Sequence, residues 1–281
     1  MAPAGRWSDA RRGPHALPMA APPARPRLAP WLPDLAGAWI FYSVRPAWPG
    51  VAPRFERIAR FAPWIGAVLG GFQALAWWGL QGRVPPLSQV ALVLALGLLL
   101  SGGLHADGAM DTADGLAAGE RRRLEAMDDS RVGASGVQAL VLLLLLRAAA
   151  LAALAVAAPW ALLWSAIWGR VAPLVAMGRF GYLRPEGGSA GFHRRHWRGL
   201  GRELRPALLL LAALLALSLA RGWPLAGLAA GLPALLVPLW LGRRLGGHSG
   251  DSYGACVEWS EALGLLLAAA VTLLAAAWAA G

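Results

Sequence analysis

The sequence predicts an all-α fold, a polytopic transmembrane helical bundle of about seven spans, and three observations predict it. Apolar residues make up 57 % of the 281-residue chain and charged residues only 15 %, against roughly 25 % charged in an ordinary soluble domain. The apolar residues fall in blocks instead of alternating or recurring at helical spacing, which is the pattern of spanning segments. The arginines concentrate in every second loop, the asymmetry that orients a membrane bundle.

Taken in order, residues 1–30 read as a disordered Pro/Arg-rich leader. They are basic, broken by Pro14, Pro18, Pro22, Pro23, Pro26 and Pro30, and contain no apolar core that would make them a signal peptide. Residues 31–281 read as a single integral-membrane catalytic domain. Its first piece, Trp31 to Pro46, is short, amphipathic and aromatic, suited to an interfacial helix lying along the bilayer. Seven blocks long enough to cross a hydrocarbon core of ~30 Å follow. They run over Ala62–Leu80, Pro86–Leu104, Val137–Ala158, Trp160–Met177, Pro206–Ala220, Trp223–Leu241 and Ala262–Ala280.

The basic loops are those before the first span (Arg45, Arg54, Arg57, Arg60) and after the second (Arg121, Arg122, Arg123, Arg131). The loops after the fourth, with seven arginines from Arg179 to Arg205, and after the sixth, with Arg243 and Arg244, continue the series. All are expected on the cytoplasmic side of a bacterial inner membrane. The formal charge of +11 and pI near 11.5 therefore report topology, and nucleic acid is not expected as a partner. The single Cys256 excludes an intrachain disulfide.

The most informative polar stretch runs from Gly102 to Gly115. Asp107, Asp111 and Asp114 stand at i, i+4 and i+7, one face of a helix, directly at a predicted membrane boundary. Three carboxylates on one stripe repel one another unless a cation lies among them. A hard ion such as Mg²⁺ takes oxygen ligands and bridges to substrate phosphates. A solvated acidic loop is the plain alternative.

Asp128-Asp129-Ser130-Arg131 forms a second patch that also reads as a helix cap. Arg147 lies about ten residues into the leucine run that starts at Val137. An ionisable side chain at that depth needs an anionic partner, snorkelling to the interface being the alternative. The glycine-rich stretch Gly246 to Gly254, containing Ser249 and Asp251, reads as a turn that could cradle phosphate oxygens. Glu258 and Glu261, at i and i+3, continue polarity into the last span, with an interfacial helix start as the plain alternative.

These blocks resemble the cobalamin synthase family, the adenosylcobinamide-GDP ribazoletransferases. Gly102 to Gly115 is similar to the family signature Gly-Gly-(Phe/Leu)-His-x-Asp-Gly-(Leu)-x-Asp-Thr-x-Asp-Gly almost throughout. Met127 to Gly133 resembles Met-x-Asp-Ser-Arg-x-Gly, with Asp129 in the family position. Tyr182 to Gly187 with Phe192 resembles Tyr-Ala-Arg-x-x-Gly-x-Gly-x-x-Phe, and Gly247 to Ala255 resembles Gly-x-Thr-Gly-Asp-x-x-Gly-Ala, with Ser249 for threonine. Ser43-Val44-Arg45-Pro46 departs from an early Thr-Arg-x-Pro pattern, and Gly188-Ser189 departs from Leu-Gly.

The resemblance implies a transferase in which a hydroxyl of α-ribazole, or of its 5′-phosphate, displaces GMP from adenosylcobinamide-GDP. It implies Mg²⁺ held by Asp107, Asp111, Asp114 and Asp129. Asp251 would add a ligand or act as base, and His105 would act as base, ligand or capping donor. Arg147, Arg170, Arg184, Arg131 and Ser249 would hold phosphate oxygens. A homo-oligomer, or association with other enzymes of cobalamin assembly, stays open. A CDP-alcohol phosphotransferase would carry Ala-Arg where Asp111-Thr112 stands, and an aspartate-rich prenyltransferase would show two acidic repeats. An ion-coupled transporter would favour carboxylates at the bilayer midplane and an internal repeat.

Overall fold

The computed structural model describes residues 29–184 and 190–280, so the leader predicted for residues 1–30 lies almost wholly outside the described residues. Trp31–Gly281 forms one compact unit. The helices in chain order are α1 (Leu32–Phe41), α2 (Ala62–Leu80), α3 (Pro86–Ser101), α4 (Leu104–Ala117), α5 (Arg123–Asp128), α6 (Ala134–Leu154), α7 (Ala158–Arg179), α8 (Gly191–Arg195), α9 (Leu200–Arg221), α10 (Gly231–Leu245) and α11 (Gly250–Ala280). Short 3₁₀ turns precede α2 and α10 and join α6 to α7. Among the described residues the strand-like pairing is limited to one parallel bridge between Tyr182 and His248.

Five stretches are long and apolar enough to cross a membrane, or six if α3 and α4, bent by 92° at their junction, count as one span. One of the five is Ala134–Arg179, 46 residues long. As a straight helix it would hold Arg147 and Arg170 ~34 Å apart at 1.5 Å per residue. Both instead reach the same carboxylate: Arg147 Nη2 lies 3.2 Å from Glu261 Oε2, and Arg170 Nη1 lies 2.6 Å from Glu261 Oε1. The chain therefore reverses at the 3₁₀ turn Ala155–Ala157, where Ala155 has φ 47°, and the stretch is a hairpin of two crossings. Counted so, the crossing segments number seven. Leu87, Leu99, Leu145, Leu209 and Leu274 are all more than half exposed, a surface that suits hydrocarbon and would aggregate in water.

The break between α3 and α4 is where glycine's freedom matters. Gly102 and Gly103 are both left-handed, at φ 64° and 70°, a conformation that costs other residues roughly 1–2 kcal/mol each. Two in succession turn the chain by 92°, so α4 does not continue in the direction of α3. The predicted second span accordingly ends three residues early, at Ser101. The last helix differs more, because it begins at Gly250 and not near Ala262. Ser249 and Ser252 explain the early start. The Ser252 N–H donates to Ser249 Oγ (3.2 Å) and the Ser249 N–H donates to Ser252 Oγ (2.8 Å), a reciprocal cap that nucleates the helix. The predicted glycine-rich turn is thus half turn and half helix.

Several arginines expected only to orient the bundle also hold it together. The fully buried Asp34 of α1 is paired with both Arg54 and Arg60, and Arg57 pairs with the buried Glu203 of α9 at 2.7 Å. These pairs fasten α1 and the N-terminus of α2 to α9. At the opposite end of the bundle Trp160 stacks on Trp223, with ring centroids 4.1 Å apart, and meets Trp78 at 5.2 Å. Aromatic rings gathered at one level match an interfacial belt.

Candidate active site

The site forms where α4 crosses the first turns of α11. A β-carbon built on Gly108 would lie 2.6 Å from the Asp251 carbonyl oxygen, and one on Gly254 would lie 3.0 Å from that of His105. Only glycine at these positions lets the two backbones touch, and that contact brings the aspartates of α4 beside Asp251. Gly108→Ala is expected to push the helices apart at a cost of about 1–3 kcal/mol. It should be read as a lower melting temperature of the solubilised protein; an unchanged value would show that the crossing has room to spare.

The predicted acidic stripe forms as a stripe. Asp107 is exposed, while Asp111 and Asp114 are half-buried, and the opposite face of α4 packs Ala109 and Thr112 inward. Burial, and then the charges of Asp107, Asp251 and Asp114, push the Asp111 carboxyl up to about 6, with Arg184 opposing them. Four carboxylates therefore act on one another around Asp111. Asp114 also has a structural task, because Oδ2 accepts the Gly133 N–H and Oδ1 the Gly136 N–H, both at 2.8 Å. It caps α6 from a neighbouring helix.

The second acidic patch is used differently from the sequence expectation. Asp128, not Asp129, meets the site, as the partner of Arg184, whose Nη2 lies 3.5 Å from Asp251 Oδ2. Asp129 turns onto Arg131 with both oxygens, accepting from Nε at 3.0 Å and Nη2 at 2.7 Å. That pairing, first through the side-chain bonds, holds the Asp129 carboxyl down at about 2. A helix end and a tight turn separate two adjacent residues here, so a motif alignment could not tell which one faces inward. Ser249 is fully buried, and its Oγ lies 3.2 Å from Asp251 Oδ2, so it orients Asp251 as well as capping α11.

The deep arginines find their anions within the protein. Arg147 Nη2 lies 2.9 Å from Glu258 Oε2 and 3.2 Å from Glu261 Oε2, and Arg170 Nη1 lies 2.6 Å from Glu261 Oε1. Glu258 and Glu261, to which the sequence assigns no role, are the partners Arg147 requires. The early start of α11 carries them into the bundle, which their spacing alone did not reveal. Both carboxylates are therefore charge-paired within the bundle.

A cavity of about 170 Å³ opens beside the acids. Asp107, Asp251 and Arg170 line it together with Phe41, Tyr42, His105 and His193. Of these, Phe41, Tyr42 and His193 were not recognised in the sequence; the chain reversal after α1 and helix α8 bring them in. Among the described residues no group of three or more His, Cys, Asp or Glu stands ready to hold a metal ion. A diphosphate-bound Mg²⁺ needs only one or two protein carboxylates besides phosphate oxygens. The mutual repulsion around Asp111 marks a place where such a cation would relieve charge, so the donor set fits.

Fold and site together define a multi-pass membrane enzyme with a carboxylate-rich, arginine-flanked centre at one end of its bundle. A sequence profile of the Cobalamin-5-phosphate synthase family matches residues 34–269. The chain belongs to that family. It is 62 % identical over 249 residues to an adenosylcobinamide-GDP ribazoletransferase of Prochlorococcus marinus (strain MIT 9303), covering 85 % of this chain and 96 % of the relative. A protein of the same name from strain MIT 9313 is 60 % identical with the same coverage. Another, from Thermosynechococcus vestitus, is 44 % identical over 81 % of this chain and 92 % of its own. No solved structure matches.

Proposed function

We propose that the chain is an adenosylcobinamide-GDP ribazoletransferase, acting at the cytoplasmic face of a bacterial inner membrane. The observation that carries this reading is the cluster around Asp111: acids from α4 and α11, with Arg184 beside them, at the rim of a cavity. In the reaction a hydroxyl oxygen of α-ribazole, or of its 5′-phosphate, bonds to the cobinamide-linked phosphorus. The bond from that phosphorus to the bridging oxygen breaks, and GMP leaves with that oxygen. Phosphoryl transfer of this kind depends on alignment and charge stabilisation more than on covalent help.

Asp107 and Asp111 are the residues that would hold Mg²⁺, which when bound neutralises charge on the diphosphate. Asp251 accepts the proton of the attacking hydroxyl, with Ser249 fixing its orientation. Arg184, already balanced between Asp128 and Asp251, exchanges one of them for a phosphate oxygen. Arg170 is held by Glu261 and supplies positive potential to the cavity without leaving its place. Asp114 supports the centre by keeping α6 in register with α4, and Arg147 supports it through the same glutamates.

The direct test is to incubate vesicles containing the protein with adenosylcobinamide-GDP and α-ribazole. GMP is expected with Mg²⁺ and none after chelation by EDTA. Absence of GMP with both α-ribazole and its 5′-phosphate as acceptor would overturn the proposal.

A further inference from the structure

A second cavity, of about 420 Å³, lies between α4, α10 and α11 and shares no lining residue with the one beside the acids. Its α4 wall includes Thr112, Ala113 and Leu116. At about 100° per residue these stand on the side of the helix away from Asp107, Asp111 and Asp114. Leu236 and Trp240 of α10 and Trp259 of α11 form much of the remainder. Leu236 and Trp240 are 53 % and 54 % exposed, and α10 belongs to a segment apolar enough to cross a membrane. The cavity is therefore a groove open to the hydrocarbon side of the bundle.

Charge and one orphan hydroxyl say what fills it. Arg243 and Arg244, in the last turn of α10, are exposed, and neither is ion-paired among the described residues. They follow Trp240 by three and four positions and so share its helix face; the Arg244 guanidinium lies 5.9 Å from the centre of the Trp240 ring. Arg123 adds a third cation at this end, its Nη1 donating to the Leu245 carbonyl at 3.1 Å. Basic side chains at the mouth of a lipid-facing groove attract anionic headgroups. Thr112 is 2 % exposed, and its hydroxyl has no hydrogen-bond partner among the described residues. A buried orphan of this kind calls for an acceptor on whatever enters the groove. A bare hydrocarbon chain offers none, whereas a glycerol ester does.

We infer that the groove holds one acyl chain of an anionic glycerophospholipid, with its phosphate on Arg243 and Arg244 and an ester carbonyl accepting from Thr112. The volume falls in the range of roughly 300–1,000 Å³ usual for small-molecule sites. Left empty, the groove would forfeit the packing of its whole lining, and the hydrocarbon layer holds no water to fill it. Because its α4 wall is the back of the acidic stripe, the lipid braces the helix that carries Asp111 without touching the reacting groups.

Native mass spectrometry of the full-length protein in detergent, titrated with phosphatidylglycerol or with phosphatidylcholine of the same chains, tests this without turnover. One phosphatidylglycerol is expected to stay bound, about tenfold or more tighter than phosphatidylcholine, and the double variant Arg243→Gln, Arg244→Gln is expected to lose that preference. Phosphatidylglycerol with a photoreactive diazirine in one acyl chain is expected to label the segment from Thr112 to Leu116. Saturating phosphatidylglycerol should also raise the melting temperature by about 5 °C in the wild type and not in the double variant. Equal retention of the two lipids would overturn the inference, as would labelling of α10 with none on α4, or a melting temperature that phosphatidylglycerol does not move. A lipid-free dimer would overturn it too, since a second copy would then cover the groove. The lipid comparison and the labelling use the unaltered protein, so they decide the matter even if the double variant fails to insert. Lipid binding is read apart from GMP release, so loss of the proposed reaction would leave this site standing.

Discussion

Asp111→Asn is expected to lower GMP release by about 10²–10³-fold, the loss typical when a group that stabilises charge in the transition state is removed, while the protein still inserts and melts as wild type. Asparagine has nearly the same shape and removes one of the mutually repelling charges around α4, so no structural penalty should accompany the loss. Asp111 is the most informative of the acids because its environment is the most strained. Burial, and then Asp107, Asp251 and Asp114, hold its carboxyl up at about 6.

The sign of this shift sets the pH behaviour. Below about 6 Asp111 keeps its proton and has no negative charge to offer a cation, so the rate should fall as pH drops through that value. Raising Mg²⁺ should move the falling limb to lower pH, because metal and proton compete for the carboxylate. Asp107→Asn should move Asp111's titration the same way by removing a neighbouring charge. The metal-free fold, by contrast, binds this proton more tightly than the unfolded chain. Its contribution to stability is present below the ordinary value near 3.8 and lost as pH rises to about 6. A rate that is flat from pH 5 to 8 at limiting Mg²⁺ would remove Asp111 from the metal site.

Much of this was readable from the sequence, for physical reasons. The apolar blocks gave the crossings because hydrocarbon imposes a length and forbids charge. The boundaries of α2, Ala62–Leu80, emerged unchanged because Pro63 starts it and a glycine- and proline-containing turn ends it. The stripe Asp107-Asp111-Asp114 followed from helical spacing alone. What stayed hidden depends on where a chain turns in three dimensions. Asp128 and Asp129 are adjacent, yet only one faces Arg184. His193 and Phe41 are 152 positions apart in the chain and meet only because α8 folds back over the end of α1. The Ser249–Ser252 cap was present as a pattern, but the surrounding glycines argued for a turn, and the cap won because both of its hydrogen bonds are buried. The same early start of α11 carries Glu258 and Glu261 into the bundle, which the i, i+3 spacing alone does not decide.

Those two glutamates support the second large expectation. Arg147, Arg170, Glu258 and Glu261 form a neutral cluster of two cations and two anions, each side chain at most 15 % exposed. Glu261→Ala strips one oxygen contact from each arginine and leaves two guanidinium groups facing Glu258 alone. Removing one member of a buried pair costs about 3–5 kcal/mol, because the stranded charge has no water to turn to. A drop of ~10 °C or more in the melting temperature of the solubilised protein is therefore expected, together with lost GMP release, since Arg170 would no longer be held at the cavity wall. Arg147→Met should be similarly damaging by leaving two carboxylates for Arg170. Combining Arg147→Met with Glu258→Gln restores charge balance around the Arg170–Glu261 pair, and the double variant should be more stable than Arg147→Met alone. Additive losses in that cycle would show that the four groups act as independent contacts. Recovery would show that charge neutrality is what the deep end of the site requires, with Glu261 as its hinge between the two crossing helices of the α6–α7 hairpin.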